Sequence, residues 1–110
     1  MIRLFDVTLS VRSINANAHE VNFGDGVVLF SYGVPVAAKF DGILYVTEQR
    51  WSQTTTRHEN VFRETHGGRA TYFLPQQAFT SGLILDAEER EKYRAHLDAK
   101  RERLLASLSQ

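Results

Sequence analysis

The chain has 110 residues, a length that suits one domain around a single core. Its composition, 43% hydrophobic and 24% charged, argues against wholesale disorder, and the absence of cysteine excludes disulfides, thiol catalysis and thiolate zinc sites. Thirteen basic and thirteen acidic side chains cancel, which argues against non-specific coating of nucleic acid, and no run nears the roughly 18 apolar residues that span a bilayer.

Residues 2 to 11 alternate, with Phe5, Val7, Leu9 and Val11 on one side, and predict a half-buried strand rather than a secretion signal. Arg12 to Ala18, rich in Asn and Ser, predicts a loop. Val21 to Gly26 followed by Val27 to Tyr32 predicts a hairpin turning at Gly24-Asp25-Gly26. Val34 to Phe40 is a further β run in which Pro35, lacking an amide donor, belongs at an edge or a strand's first position. Asp41-Gly42, set between Ala37–Phe40 and Ile43–Thr47, is the strongest hairpin signal in the chain.

The period then changes. Trp51, Thr55, His58, Val61, Phe62 and Thr65 fall at helical spacing, with Glu59 and Arg63 paired four apart on the outer face. Thr56 with Glu59 fits a capping box, and Gly67-Gly68 ends the helix. Thr71 to Leu74 predicts a short strand stopped by Pro75, with Tyr72 and Phe73 split between its two faces and a weak basic patch from Arg63 to Arg69 beside it. Gln76 to Gly82 is the expected hinge. Asp86, reciprocated by Glu89, caps a last helix over residues 86–108 holding six acids and six bases between Asp86 and Arg103. Its thin stripe, Tyr93, Leu97, Leu104 and Leu108, predicts docking along the sheet or pairing with a second copy. The expectation is a single α+β domain over 1–110: an antiparallel sheet of four or five strands, one central helix and a charged C-terminal helix.

None of His19, His58, His66 and His96 has metal spacing; an H-E-x-x-H pattern fails because Phe62 stands where its second histidine would. No phosphate loop, serine elbow or catalytic set is present, so no enzyme, cofactor or metal is expected. The distinctive stretch is Arg50-Trp51-Ser52-Gln53-Thr54-Thr55-Thr56-Arg57-His58. A helix start with surplus hydroxyls, two guanidinium groups and an indole suits a phosphate or carboxylate, with Trp51 and Tyr45 available to stack on a base. Equally, Trp51 seals the core, one threonine caps the helix and His58 packs on the inner face.

Residues 28 to 62, about a third of the chain, resemble small uncharacterised proteins of bacteriophages and related mobile elements. Those proteins pair an S-Y-x-T-x-V-A strand with an S-x-T-T-S-x-H helix start; here Val34 replaces the threonine of the first motif and Thr56 the second serine of the other. The resemblance implies that Ser31, Tyr32, Ser52, Thr54, Thr55 and His58 carry the common role, one version being that Ser31 or Tyr32 bonds the helix-start threonines and locks helix to sheet. The leading functional expectation is a non-enzymatic accessory protein in the host cytoplasm that binds a host or phage protein. The alternatives are a nucleic-acid or phosphate module built on residues 50–58 and a small nuclease-like enzyme. A homodimer through the last helix is a further expectation; a membrane partner is not expected.

Overall fold

The computed structural model describes residues 2–4 and 7–108, with side chains described for 10–14 and 16–108. Among the described residues, seven strands follow one another in spatial order: β1 (Ile2–Leu4), β2 (Val7–Asn15), β3 (Ala18–Asn22), β4 (Gly26–Ser31), β5 (Val34–Phe40), β6 (Ile43–Thr47) and β7 (Ala70–Leu74). Every pair is antiparallel except β6–β7, which is parallel and joined by α1 (Gln53–His66). The fold is α+β, with a larger sheet than expected. A parallel neighbour requires a crossover, and α1 supplies it; no local turn signal announces such a pairing.

The expected single strand over 2–11 is two strands of a hairpin, pairing Ile2 with Leu9, and the expected inward side chains Phe5, Val7 and Leu9 lie outside the described residues. Val11 is exposed rather than core-facing. The expected loop at 12–18 is instead the end of β2, a two-residue turn and the start of β3, paired Arg12 with Glu20. At the β3–β4 turn, Gly26 lies so close to β5 that a Cβ there would sit 2.2 Å from the Phe40 ring and 2.6 Å from the Lys39 carbonyl. The Asp41-Gly42 turn forms as expected, with both residues at positive φ.

Pro35 is the second residue of an interior strand, but β5 pairs with β6 only from Ala37 onward, so no ladder bond is asked of it on that side. Val36 is an extra residue opposite β4, a bulge that sends Val36 and Ala37 to the same face.

That face, with Leu29, Leu44 and Val46, packs under Phe62 of α1. The other face, carrying Val28, Ala38, Phe40, Tyr45 and Leu74, is covered by α2 (Gln76–Thr80), a 3-10 turn (Leu83–Leu85) and α3 (Ala87–Leu108). β6 is buried at all five positions because both faces are covered. The expected hinge at 76–82 is thus mostly α2, held by buried Ala78 and Phe79.

Asp86 caps α3 through its Oδ1, which accepts from the Glu88 and Glu89 amides at 2.8 and 3.2 Å. Arg90, the largest fully buried side chain, stacks 4.1 Å over the Phe40 ring, donates to the Ile84 carbonyl at 3.0 Å and reaches Asp41 at 3.6 Å. Tyr93 and Leu97 pack on the core, while every described residue from Asp98 onward is exposed. The stripe therefore splits: its first half docks on the sheet and its second half projects from a molecule measuring 54 × 34 × 23 Å. No helix among the described residues is long and apolar enough to cross a membrane.

Candidate functional site

The tight Tyr32-Gly33 turn ends β4 at Ser31, beside the first turns of α1. Ser52, not Thr56, caps that helix: its Oγ accepts from the Thr55 amide at 3.1 Å. Four hydroxyl residues in a row make the capping position ambiguous by composition, and helix phase decides it. Thr55 and His58 then fall on the buried face, one turn apart, above Ser31.

Ser31 Oγ lies 2.9 Å from Thr55 Oγ1 and 2.8 Å from His58 Nδ1, and Ser52 Oγ donates to Thr55 Oγ1 at 3.3 Å. A chain in which each hydroxyl donates once runs Ser52 to Thr55 to Ser31 to His58 Nδ1. It requires a neutral imidazole as final acceptor, and burial, aided by the Arg57 charge, holds His58 below the usual histidine range. Ser31, Thr55 and His58 thus lock helix to sheet.

The remaining residues of the 50–58 stretch divide between two openings. Arg50, Trp51, Ser52 and Arg57 line a groove of about 530 Å³ at the helix start, with Gln53 and Asn60. Thr54, Arg57 and His58 line a second cleft of about 320 Å³ against Ile14 and Ala18 of the β2–β3 hairpin. Arg57 stands between them. Trp51 does not seal the core: it is 47% exposed, its Nε1 donating to Gln76 Oε1 at 3.2 Å. Tyr45 cannot stack on a base, being fully buried on the opposite face against Tyr72.

Glu59 is half-buried rather than outward, and burial raises its carboxyl to about 7, the Arg63 charge opposing. Arg63 lies over the Phe73 ring at 5.8 Å. Among the described residues no group of three or more His, Asp or Glu is placed to hold a metal ion.

Sequence reasoning missed a polar basin of about 470 Å³ on the α1 face. Glu20, buried on β3, accepts from His66 Nε2 at 2.9 Å and lies 4.0 Å from Arg12 on β2. Lys39 Nζ donates to the His66 carbonyl at 2.6 Å, so two strands grip the C-terminal end of α1. The alternation of Arg12 with Ser10, and of Glu20 with Asn22, was the available signal. It is legible only once residues 12–22 are read as strands.

The model of a family of unknown function, DUF8033, matches residues 6–81, more than half of the chain. The chain belongs to this family. The DUF8033 match holds β2 to β7, α1 and α2, and with them the Ser31–Thr55–His58 lock, both openings of the 50–58 stretch and the Glu20–His66 basin, while β1 precedes it. The 3-10 turn and α3 lie beyond it. No curated protein and no solved structure matches the chain.

Proposed function

We propose that the chain works by binding a protein, with the projecting half of α3 as its contact. The observation that carries this is the exposure of three leucines on one turn of helix: Leu104, Leu105 and Leu108 are 58, 53 and 82% exposed. A helix end that buries nothing on its own sheet gains nothing from apolar side chains, whereas a helix laid in a partner's groove does. Lys100, Arg101 and Arg103 outnumber Asp98 and Glu102 along the same stretch. The fitting partner is thus an apolar groove with an acidic rim. The resemblance of residues 28–62 to phage and mobile-element proteins favours a host or phage protein, met in the host cytoplasm, as that partner.

The test is a photo-crosslinking residue at Leu105 in cells, with one at Asn60 as control. A discrete adduct with a protein other than this chain, formed only from position 105 and abolished by Leu104→Glu with Leu108→Glu, is the expected result. No adduct, or an adduct indifferent to those substitutions, would overturn the reading; an adduct with a second copy would replace it with homodimerisation.

A second reading, phosphate or nucleic-acid binding, has one specific observation in its favour. Arg50, Trp51 and Arg57 share a groove at the start of α1, whose first turn holds no acid. Salt-dependent binding of short single-stranded DNA or RNA, lost in Arg50→Ala with Arg57→Ala, would support it. The nuclease-like alternative lacks any such observation, since His58 Nδ1 is engaged with Ser31.

A further inference from the structure

β7 ends the sheet and uses one of its two edges. The Leu74 carbonyl accepts from the Glu48 amide at 2.8 Å, so alternation turns the main-chain groups of Leu74, Tyr72 and Ala70 toward β6 and those of Thr71 and Phe73 outward. Among the described residues, the outward N–H and C=O groups of Thr71 and Phe73 meet no hydrogen-bonding partner.

Edge strands are ordinarily protected by proline, lysine, a bulge or a covering segment. Ala-Thr-Tyr-Phe-Leu has none of the first three: its register with β6 is unbroken over five residues, and Pro75 comes only after it. Nor does a neighbour fill the space beside it. On the α1 side Arg63, Thr71 and Leu44 line an opening of about 410 Å³. On the α3 side Arg69, Tyr72, Leu97 and Arg101 line another of about 460 Å³. Phe73, 49% exposed, stands at the edge. A strand added here would alternate its side chains between the two openings.

The charge of the surroundings selects among strands. Arg63, Arg69 and Arg101 outnumber Glu64 and Asp98 along the two openings, and Asp98 already accepts from the Tyr72 hydroxyl at 2.9 Å. Pairing β7 with β7 of a second copy would bring these arginines toward their own counterparts. We infer that β7 is a docking edge for an extended acidic segment of another protein, which adds as a further strand through main-chain bonds to Thr71 and Phe73. The surface is distinct from the leucines of α3, and the inference does not rest on them.

The probe is a fluorescent peptide of about eight residues alternating valine and glutamate, titrated against the full chain and followed by anisotropy. Saturable binding is expected, with the lysine-for-glutamate peptide failing to bind. Thr71→Pro removes one outward N–H and no bond to β6, and should weaken the acidic peptide about tenfold. Arg69→Glu should weaken it as well. No saturable binding, equal affinity for the lysine peptide, or indifference to Thr71→Pro would each overturn the inference. If Thr71→Pro lowers the melting temperature, a peptide N-methylated on its edge-facing amides asks the same question without altering the protein: lost affinity supports the added strand, and retained affinity refutes it. A wild type that dimerises through β7 and refuses the peptide would assign the edge to a second copy.

Discussion

Ser31 is nearly inaccessible, and its one hydroxyl serves both Thr55 and His58. Ser31→Ala takes one hydrogen-bonding partner from each of two buried polar groups, so it should cost about 2 kcal/mol in denaturant unfolding. A loss below about 0.5 kcal/mol would show that the chain of hydroxyls holds nothing. Glu59 offers a different readout, because its folded carboxyl titrates near 7 against 4.5 for an unperturbed one. Below pH 4.5 both folded and unfolded forms are protonated; as pH rises toward and through 7, the unfolded chain ionises first and the fold loses stability. Glu59→Gln should therefore raise the melting temperature at about pH 8 and leave it unchanged at about pH 4. His58 works in the opposite sense: its lowered value keeps full stability above 6.5 and loses it as pH falls through the folded value. A melting-temperature profile of wild type and Glu59→Gln across that range separates the two, and a Glu59→Gln protein that melts earlier at pH 8 would contradict the assignment.

Among the elements, α3 is attached by an unusual anchor. Arg90 buries its guanidinium over Phe40 and answers the Ile84 carbonyl at the end of the 3-10 turn, while its Nε finds no partner. Arg90→Ala empties that space and should cost about 3 kcal/mol by denaturant titration. Arg90→Met, which refills the space without burying a charge, should cost less than about 1 kcal/mol. Equal losses for the two would mean that the charge, not the volume, holds the helix. This anchor was invisible in the sequence, where Arg90 sits among alternating charges that read as a solvated face. The signals that did carry through were local: Asp41-Gly42, the glycines at 24 and 26, Asp86 as cap, and the Thr55–His58–Phe62 spacing. What stayed hidden needed partners far along the chain. β2 and β3 carry polar residues because they line a basin rather than a core, and β7 pairs across a helix with β6. The 50–58 stretch was recognisable as special, but which hydroxyl caps and which side chains turn inward depends on the helix phase that Ser52 sets.

At the scale of the whole molecule, the chain divides its energetics unevenly. The sheet and its two covers bury the apolar side chains on both faces, and the family match covers most of that part. The last turns of α3 contribute none of it, since residues 99–108 are exposed throughout. If that segment exists for contact, the two properties must separate on deletion. A chain ending at Asp98 retains the Tyr72–Asp98 bond and all of the core, so its melting temperature should stay within about 2 °C of wild type. The same truncation removes all three exposed leucines and should lose the partner identified through position 105 when capture is read by co-purification with the full chain as reference. A truncated chain that melts much earlier would mean that the projecting turns brace the fold, and their exposed leucines would then need no partner to explain them. A truncated chain equally stable and equally competent in partner capture would move the contact back onto the body of the fold, where the edge of β7 is the docking surface inferred above.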